Sequence, residues 1–538
     1  MNNFPAPPHR LRPAHNTRTA DTRSANRRAV RAASRVGAVA AATTLALAAC
    51  SAGESLETDE GATASHGTLV VAISSEPDSL DVHVSTASPT FLVLENVYDT
   101  LVEPAPDLSF QPALATEWEV SDDLLTWTFT LREGVTWHNG REFVADDVVA
   151  SFNRITDAET AANAWRFDTV DEVRAVDERT VEFVLTQPTP NLLANVGGFK
   201  GMAIVAPELI DGDGLTNAAI GTGPFRFVSY TPGDRIVLEA NPDYWGDGPH
   251  VDRVEFRFIS EPTTALTNLR TGAVHLTNNV PPQEVATLRD DPAVELGQLA
   301  SNDYWYFTCN YDRAPFDNLD VRRALSYAVD REQVAQAAYF DAATPVQSAM
   351  PPGNFWATDH APFGYDPDQA RRLLGNAGVD ELSIDLMLTN EFPHTLQAAE
   401  VLASQWGDIG VDVRIRTLDF ASWLDEQGAG SYDCYVLGWL NNLDGEYAYY
   451  AQHHSTGSFN FHGYANPQVD RLLDQARASV EDADRKPLYD QAAQLIVDDV
   501  SYGYLYSPQA LLAWVPQVSG VEMHPDGKTR LRTVRLGD

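Results

Sequence analysis

Residues 112 to 152 read PALATEWEVSDDLLTWTFTLREGVTWHNGREFVADDVVASF. Within this stretch Trp127, Phe129 and Leu131 alternate with polar residues after the turn run Ser121-Asp122-Asp123, the pattern of a β-hairpin with one face turned inward. Upstream, Thr68 to Ile73 (TLVVAI) is a compact β-branched run, and Thr90 to Tyr98 carry apolar residues at helical spacing, so a strand and then a helix open the fold. Downstream, Val321, Ala324, Leu325 and Ala328 share one helical stripe, which predicts a helix over DVRRALSYAVD. Ala399, Leu402, Trp406 and Ile409 repeat that spacing, Gly410 stops it, and Val411, Val413 and Ile415 alternate as a strand; together they make a βαβ-type unit. No internal repeat points to a solenoid or propeller. After residue 67 no Pro-rich or charged break separates independent domains, so the lobes of this α/β body are interwoven.

The chain has 538 residues, 44% hydrophobic and 21% charged. That is long enough for two or three packed lobes and too apolar for a disordered chain. The net charge is -39, unevenly spread. Residues 1 to 49 hold eight arginines against Asp21, a balance of +7, which leaves -46 on the remainder. A body this acidic repels phosphate backbones, which excludes nucleic acid as a partner.

The basic leader carries Arg27, Arg28, Arg31 and Arg35 and runs into the uncharged stretch Val36 to Ala49, which ends in Leu47-Ala48-Ala49-Cys50. This is the three-part form of a secretory signal, too short to span a bilayer comfortably. The small residues before Cys50 resemble the bacterial lipobox, which implies a signal peptide over 1–49 and lipidation (palmitate) of Cys50. Two acyl chains anchor stably where one would not. Arg27-Arg28 leaves general secretion and twin-arginine export both open. Ser51 to Gly67 is small, polar and acidic, so 50–67 form a lipid anchor and flexible linker.

Five motifs in all carry a resemblance. The 112–152 stretch resembles, with its Arg-Glu-Gly turn, His-Asn-Gly turn and Asp-Asp-Val helix start, a signature of the solute-binding proteins of ABC importers, in the oligopeptide-, dipeptide- and nickel-binding class (solute-binding protein family 5). GTGPF at 221–225 with NPDYWGDGPHVDRVEF at 241–256, APFDNLDVRRALSYAVDR ending at Arg331, YDPDQARRLLGNAG from Tyr365, and GWLNNLD at 438–444 with GYANPQVDRLL at 463–473 follow in family order. The resemblance implies an α/β fold: a two-lobed, periplasmic-binding-protein-like type II clamp with an extra subdomain inserted in lobe I. It places lobe I at 68–300 with a return over 517–538, the inserted subdomain near 100–218, and lobe II at 301–516. Two crossings between lobes make a hinge.

The same resemblance puts Trp439 in the segment that lines the ligand site of relatives. In peptide-binding relatives an aspartate three residues further on holds the ligand's α-ammonium. Here that position is Asn442, which supplies no full negative charge, and Asp444 is the nearby substitute. Tyr304 and Tyr306 alternate with Trp305 at the entry to lobe II, and one side of that strand is expected to face the cleft. His453, His454 and His462 do not have convincing ligand spacing, so no metal site and no cofactor is expected; His138 is expected to stabilise its turn. Cys309 and Cys434 either pair or remain buried thiols. No GxSxG, HExxH or P-loop is present, so the chain is not expected to be an enzyme. The expected function is that of a lipid-anchored, monomeric receptor on the outer face of the cell membrane. It captures a small polar solute, with a peptide as the default, and delivers it to an ABC permease served by a separate ATPase. The alternative is a surface-tethered hydrolase on a similar scaffold.

Overall fold

The computed structural model describes residues 67–198, 202–210, 212, 214–440 and 444–537. The leader, Cys50, most of the linker and Asn442 lie outside the described residues.

Two mixed sheets share one strand. The first runs Phe225–Thr231, Arg235–Ala240, Arg253–Phe258, Thr68–Ile73 and Leu276–Thr277 to the long strand Gly503–Trp514. Thr68–Ile73 is parallel to both of its neighbours and buried along its length. A strand covered on both faces has no polar side to show, which is why TLVVAI reads as an unbroken apolar run. The second sheet runs Val411–Leu418, Leu382–Thr389, Cys434–Trp439 and Tyr304–Cys309 to the same long strand. Leu382–Thr389 and Val411–Leu418 are parallel and linked by the helix His394–Gly407, which buries Ala398, Ala399, Leu402 and Trp406. Gly410 follows at φ +88°, the left-handed conformation that ends a helix cheaply only when Cβ is absent.

The shared strand is where the two halves meet. Its residues Gly503, Tyr504 and Tyr506 pair with Phe307, Tyr306 and Trp305, while Gln509–Trp514 pair with Glu295–Ala300. Pro508 lies between, and its carbonyl accepts the Ser301 hydroxyl at 2.7 Å. The outgoing and returning chains are therefore bonded to each other at the crossing. The architecture is a two-lobed α/β clamp.

A third, four-stranded antiparallel sheet has the order Ala115–Val120, Thr126–Leu131, Thr180–Leu185, Val170–Asp177. The expected hairpin forms its first two strands, with Trp118 opposite Phe129. It has its own core under the helix Ala145–Ile155, where Phe152 meets Phe183 edge-on at 4.7 Å. The 137–147 sequence explains how this helix starts. Asp147 accepts from the Val144 backbone N–H at 3.1 Å and from the Trp137 indole at 2.9 Å, and it pairs with Arg141 at 2.9 Å. One carboxylate thus caps the helix, favours its positive end and ties the preceding turn to it. Two other motifs are also helix starts: Asp366 and Asn466 cap the helices Pro367–Asn376 and Pro467–Ala476, each with proline in the first turn.

His138 does stabilise its turn. Its Nδ1 accepts from the Gly221 N–H at 3.2 Å, so Nε2 carries the hydrogen and donates to the Gly223 carbonyl at 3.0 Å. GTGPF needs its glycines because this loop presses on Val97: a Cβ on Gly221 would lie 1.9 Å from the Val97 oxygen. Gly221→Ala is expected to cost about 1–3 kcal/mol through the forced backbone shift, read as a lower urea midpoint; an unchanged midpoint would contradict the close approach.

Burial lowers the pKa of both His83 and His138 to about 4. Each ring is neutral in the fold but takes up a proton near its ordinary 6.5 when unfolded. The unfolded state therefore binds more protons between about pH 6.5 and 4, and stability is lost as pH falls through that window. Thermal melts at stepped pH should show it, and His138→Gln should flatten the slope.

Candidate ligand cleft

The strand Cys434–Trp439 lies antiparallel to Tyr304–Cys309, with Trp439 opposite Tyr304 and Cys434 opposite Cys309. The two cysteines are joined as a disulfide, so the open question of their pairing is answered by strand register. Gly438 is glycine for a local reason: a Cβ there would sit 2.7 Å from the Trp305 ring, which packs flat across it. The strand can therefore run straight past Trp305 and deliver Trp439, half-buried, at its end.

Trp439 meets Phe459 at 5.1 Å and the edge of Tyr447 at 6.2 Å. From the other half of the molecule, Trp165 stacks on Tyr447 at 5.7 Å and meets Phe459 at 5.4 Å. Trp165 is carried by the short 3-10 turn Ala164–Phe167, which buries Ala164 and is pinned by Phe167 in the core of the four-stranded sheet. Arg166 follows it, with its guanidinium 4.4 Å from the Trp165 ring and 4.9 Å from that of Tyr447. Beside these rings is a cavity of about 220 Å³. Its walls come from Trp165, Arg166, Asn191 and Asn195 on one side and Tyr447, Ser458 and Arg477 on the other. Aromatic faces with a few polar groups aimed inward suit a small organic solute.

The expected site residues separate. Trp439 packs against Tyr447 and Phe459, and Asn442 is outside the described residues. Tyr304 and Tyr306 are fully buried and belong to the aromatic core that packs under the second sheet. Tyr306 stacks on Tyr502 at 3.7 Å, and Tyr304 meets Tyr504 edge-on at 5.4 Å. Trp305 on the opposite face is buried in a separate core. A central strand covered by helices on both sides has no wet face, so these tyrosines do not form a cleft wall. Asp444 is also turned inward, bonded to Arg485 at 2.8 Å and accepting from the Glu446 N–H at 2.7 Å. Trp165, Arg166, Tyr447 and Phe459 were not among the expected residues. The available signal was a Trp-Arg pair in the short run NAWRF and the aromatic-rich EYAYY and SFNF.

The histidines are structural. His453 and His462 each bond the Ser501 hydroxyl at 2.8 Å in the core, and burial lowers both pKa values, that of His462 to about 3. His454 instead stacks on Tyr450 at 4.3 Å. Among the described residues no group of three or more His, Cys, Asp or Glu has the geometry to hold a metal ion, and no helix is long and apolar enough to cross a membrane.

Comparison with known proteins identifies the family. The dipeptide-binding protein of Escherichia coli K12 is 27% identical over 508 residues, covering 87% of this chain and 94% of that protein. Heme-binding protein A of Haemophilus influenzae is 28% identical over 527 residues, covering 90% and 96%. Among solved structures, the ABC transporter-associated periplasmic binding protein DppA from Helicobacter pylori, in complex with the peptide STSA, superposes with a TM-score of 0.73 at 26% identity, covering 88% of this chain and 98% of that one. These relatives are binding proteins, and none supports the hydrolase alternative. Residues 109–460, more than half of the chain, match the family described as bacterial extracellular solute-binding proteins, family 5 Middle; the chain belongs to that family, and it is a solute-binding protein of the ABC-importer type rather than an enzyme.

Proposed function

We propose that this protein is a lipid-anchored receptor that captures a small polar solute, with a short peptide first among the classes, and hands it to an ABC permease. The observation that carries this reading is the cavity walled by Trp165 from one half and Tyr447 from the other, with Trp439 beside it. Such a site exists only when the halves are together, so binding energy is available to drive closure. The dipeptide-binding and peptide-complexed relatives supply the peptide class. We place the hinge at Ala300–Tyr304 and at Pro508, inside the shared strand rather than at residue 516, and read the four-stranded sheet as the subdomain inserted in lobe I. Cys50 is the proposed lipid attachment point.

Thermal unfolding with a library of di- and tripeptides tests the capture. A true ligand at a hundredfold excess over its Kd should stabilise the protein by about 2.7 kcal/mol and be recovered intact, and Trp439→Ala should weaken it. A library without a single stabilising member sinks the peptide reading. For the anchor, the wild type should partition with membranes and Cys50→Ala should appear in the medium.

A further inference from the structure

We propose that the returning segment 524–532 is a proton-linked brace of the crossing between the two halves: Glu95 holds a proton while this segment is docked and releases it when the segment lifts.

The segment is attached at both ends. At one, the Pro525 carbonyl accepts the backbone N–H of Asn302 at 3.1 Å, directly beside the Ser301–Pro508 bond of the crossing. At the other, Asn96 accepts the Leu531 N–H at 3.0 Å, and Arg532 donates to Glu103 at 3.0 and 2.6 Å. Glu95 ends the helix Ser88–Leu94 just before Asn96. Between helix end and segment is a cavity of about 40 Å³, lined by Glu95, Tyr98 and Asp99 on one side and by Arg530 and Arg532 on the other. That volume admits water but no organic solute.

Glu95 is the misfit of this cluster. Its side chain is 3% exposed, and neither carboxylate oxygen has a hydrogen-bond partner in the protein. Arg530 Nη2 lies 3.6 Å away but donates to Asp526 at 2.8 Å. Among the described residues the cluster sets the carboxylates of Glu95, Asp99, Glu103 and Asp526 against the cations Lys528, Arg530 and Arg532. Burial lowers the pKa of His524 to about 4 and keeps Tyr98 and Tyr244 neutral, so none of the three changes the balance. One negative charge is left over. A carboxylate out of water without a full partner is costly, and a proton removes that cost.

The titration of the group follows this geometry. Burial raises the Glu95 pKa to about 7 against the pull of Arg530 and Lys528. Burial raises Asp99 less far, to about 6, because Trp245 and Thr222 bond it. Asp526 is held below its ordinary range despite its burial, by Arg530 and Lys528. A lifted segment returns Glu95 to water and to its ordinary 4.5. The docked form therefore binds the extra proton between about pH 4.5 and 7, so docking is firmest at the acid end and weakens as pH rises through 7. The sign is opposite to that of the buried histidines His83, His138 and His524.

The test is hydrogen exchange read by mass spectrometry on the full-length mature protein at about pH 6 and 8, as protection relative to free amides. In the wild type, protection of 524–532 should fall about tenfold over that interval, and protection at Asn302 should fall with it. The helix Pro367–Asn376, packed on the core of the second sheet, should not follow. Glu95→Gln keeps the shape of the protonated side chain and should leave 524–532 equally protected at both pH values. A wild-type segment whose protection ignores pH, or a Glu95→Gln segment that loses protection in step with the wild type, overturns the proposal. If the variant does not fold, the comparison of segment with helix in the wild type decides alone: a fall confined to 524–532 and Asn302 supports the brace, and a fall shared equally with the helix overturns it.

Discussion

Replacing Asp444 with alanine is expected to cost about 3–5 kcal/mol. The reason is the partner left behind. Arg485 is 1% exposed, lies against Trp356 and Tyr489, and donates two bonds to Asp444, at 2.8 and 3.1 Å. Its remaining ion pair is to Asp482, whose side chain is 59% exposed, and a solvent-facing acid cannot replace a buried one. The loss should also reach the cleft, because Asp444 accepts the Glu446 N–H and so holds the start of the turn that presents Tyr447. Urea unfolding of Asp444→Ala, Arg485→Met and the pair Asp444→Leu/Arg485→Met separates the terms: removing both charges should be far milder than removing the acid alone. An Asp444→Ala variant as stable as the wild type would show that the ion pair is not what shapes this loop.

The second large effect concerns the disulfide. Cys309 and Cys434 close a loop with a sequence separation of 125, and cross-linking a loop of that length constrains the unfolded chain strongly. Removing such a bridge typically costs about 2–5 kcal/mol. The Cys309→Ala/Cys434→Ala variant is expected to unfold at markedly lower urea, and reductant should shift the wild type toward it but leave the variant unmoved. Because the bridge joins the first residue of the strand that ends in Trp439 to the last residue of its neighbour, binding should weaken as well. Equal midpoints with and without the bridge would mean that strand pairing alone fixes this end of the sheet.

Reading the residues found the elements whose signal is local. TLVVAI is a strand because a run of β-branched residues suits a position buried on both faces. The hairpin around Trp127 and the helix–glycine–strand series ending at Ile415 follow from periods of two and of 3.6 residues, which depend only on neighbours in the chain. The family motifs proved to be local devices as well: Asp147, Asp366 and Asn466 each satisfy backbone donors of a helix start within three residues. The cleft was less legible. Tyr304, Trp305 and Tyr306 show the alternation of a strand, but alternation divides two faces without saying that either is wet; here both are covered.

What the order of amino acids determined by itself is therefore the list of strands and helices, the acidic character that turns nucleic acid away, and the membership of a binding family through motifs that cap helices and tighten turns. Tertiary structure alone decided that Cys309 faces Cys434, that Asp444 spends its charge on Arg485, and that Trp165 and Arg166 from one half meet Tyr447 and Phe459 from the other. The physical reason is that ion pairs, ring stacks and cavities depend on distances between segments far apart in the chain, and these exist only after the shared strand Gly503–Trp514 has brought the two sheets together.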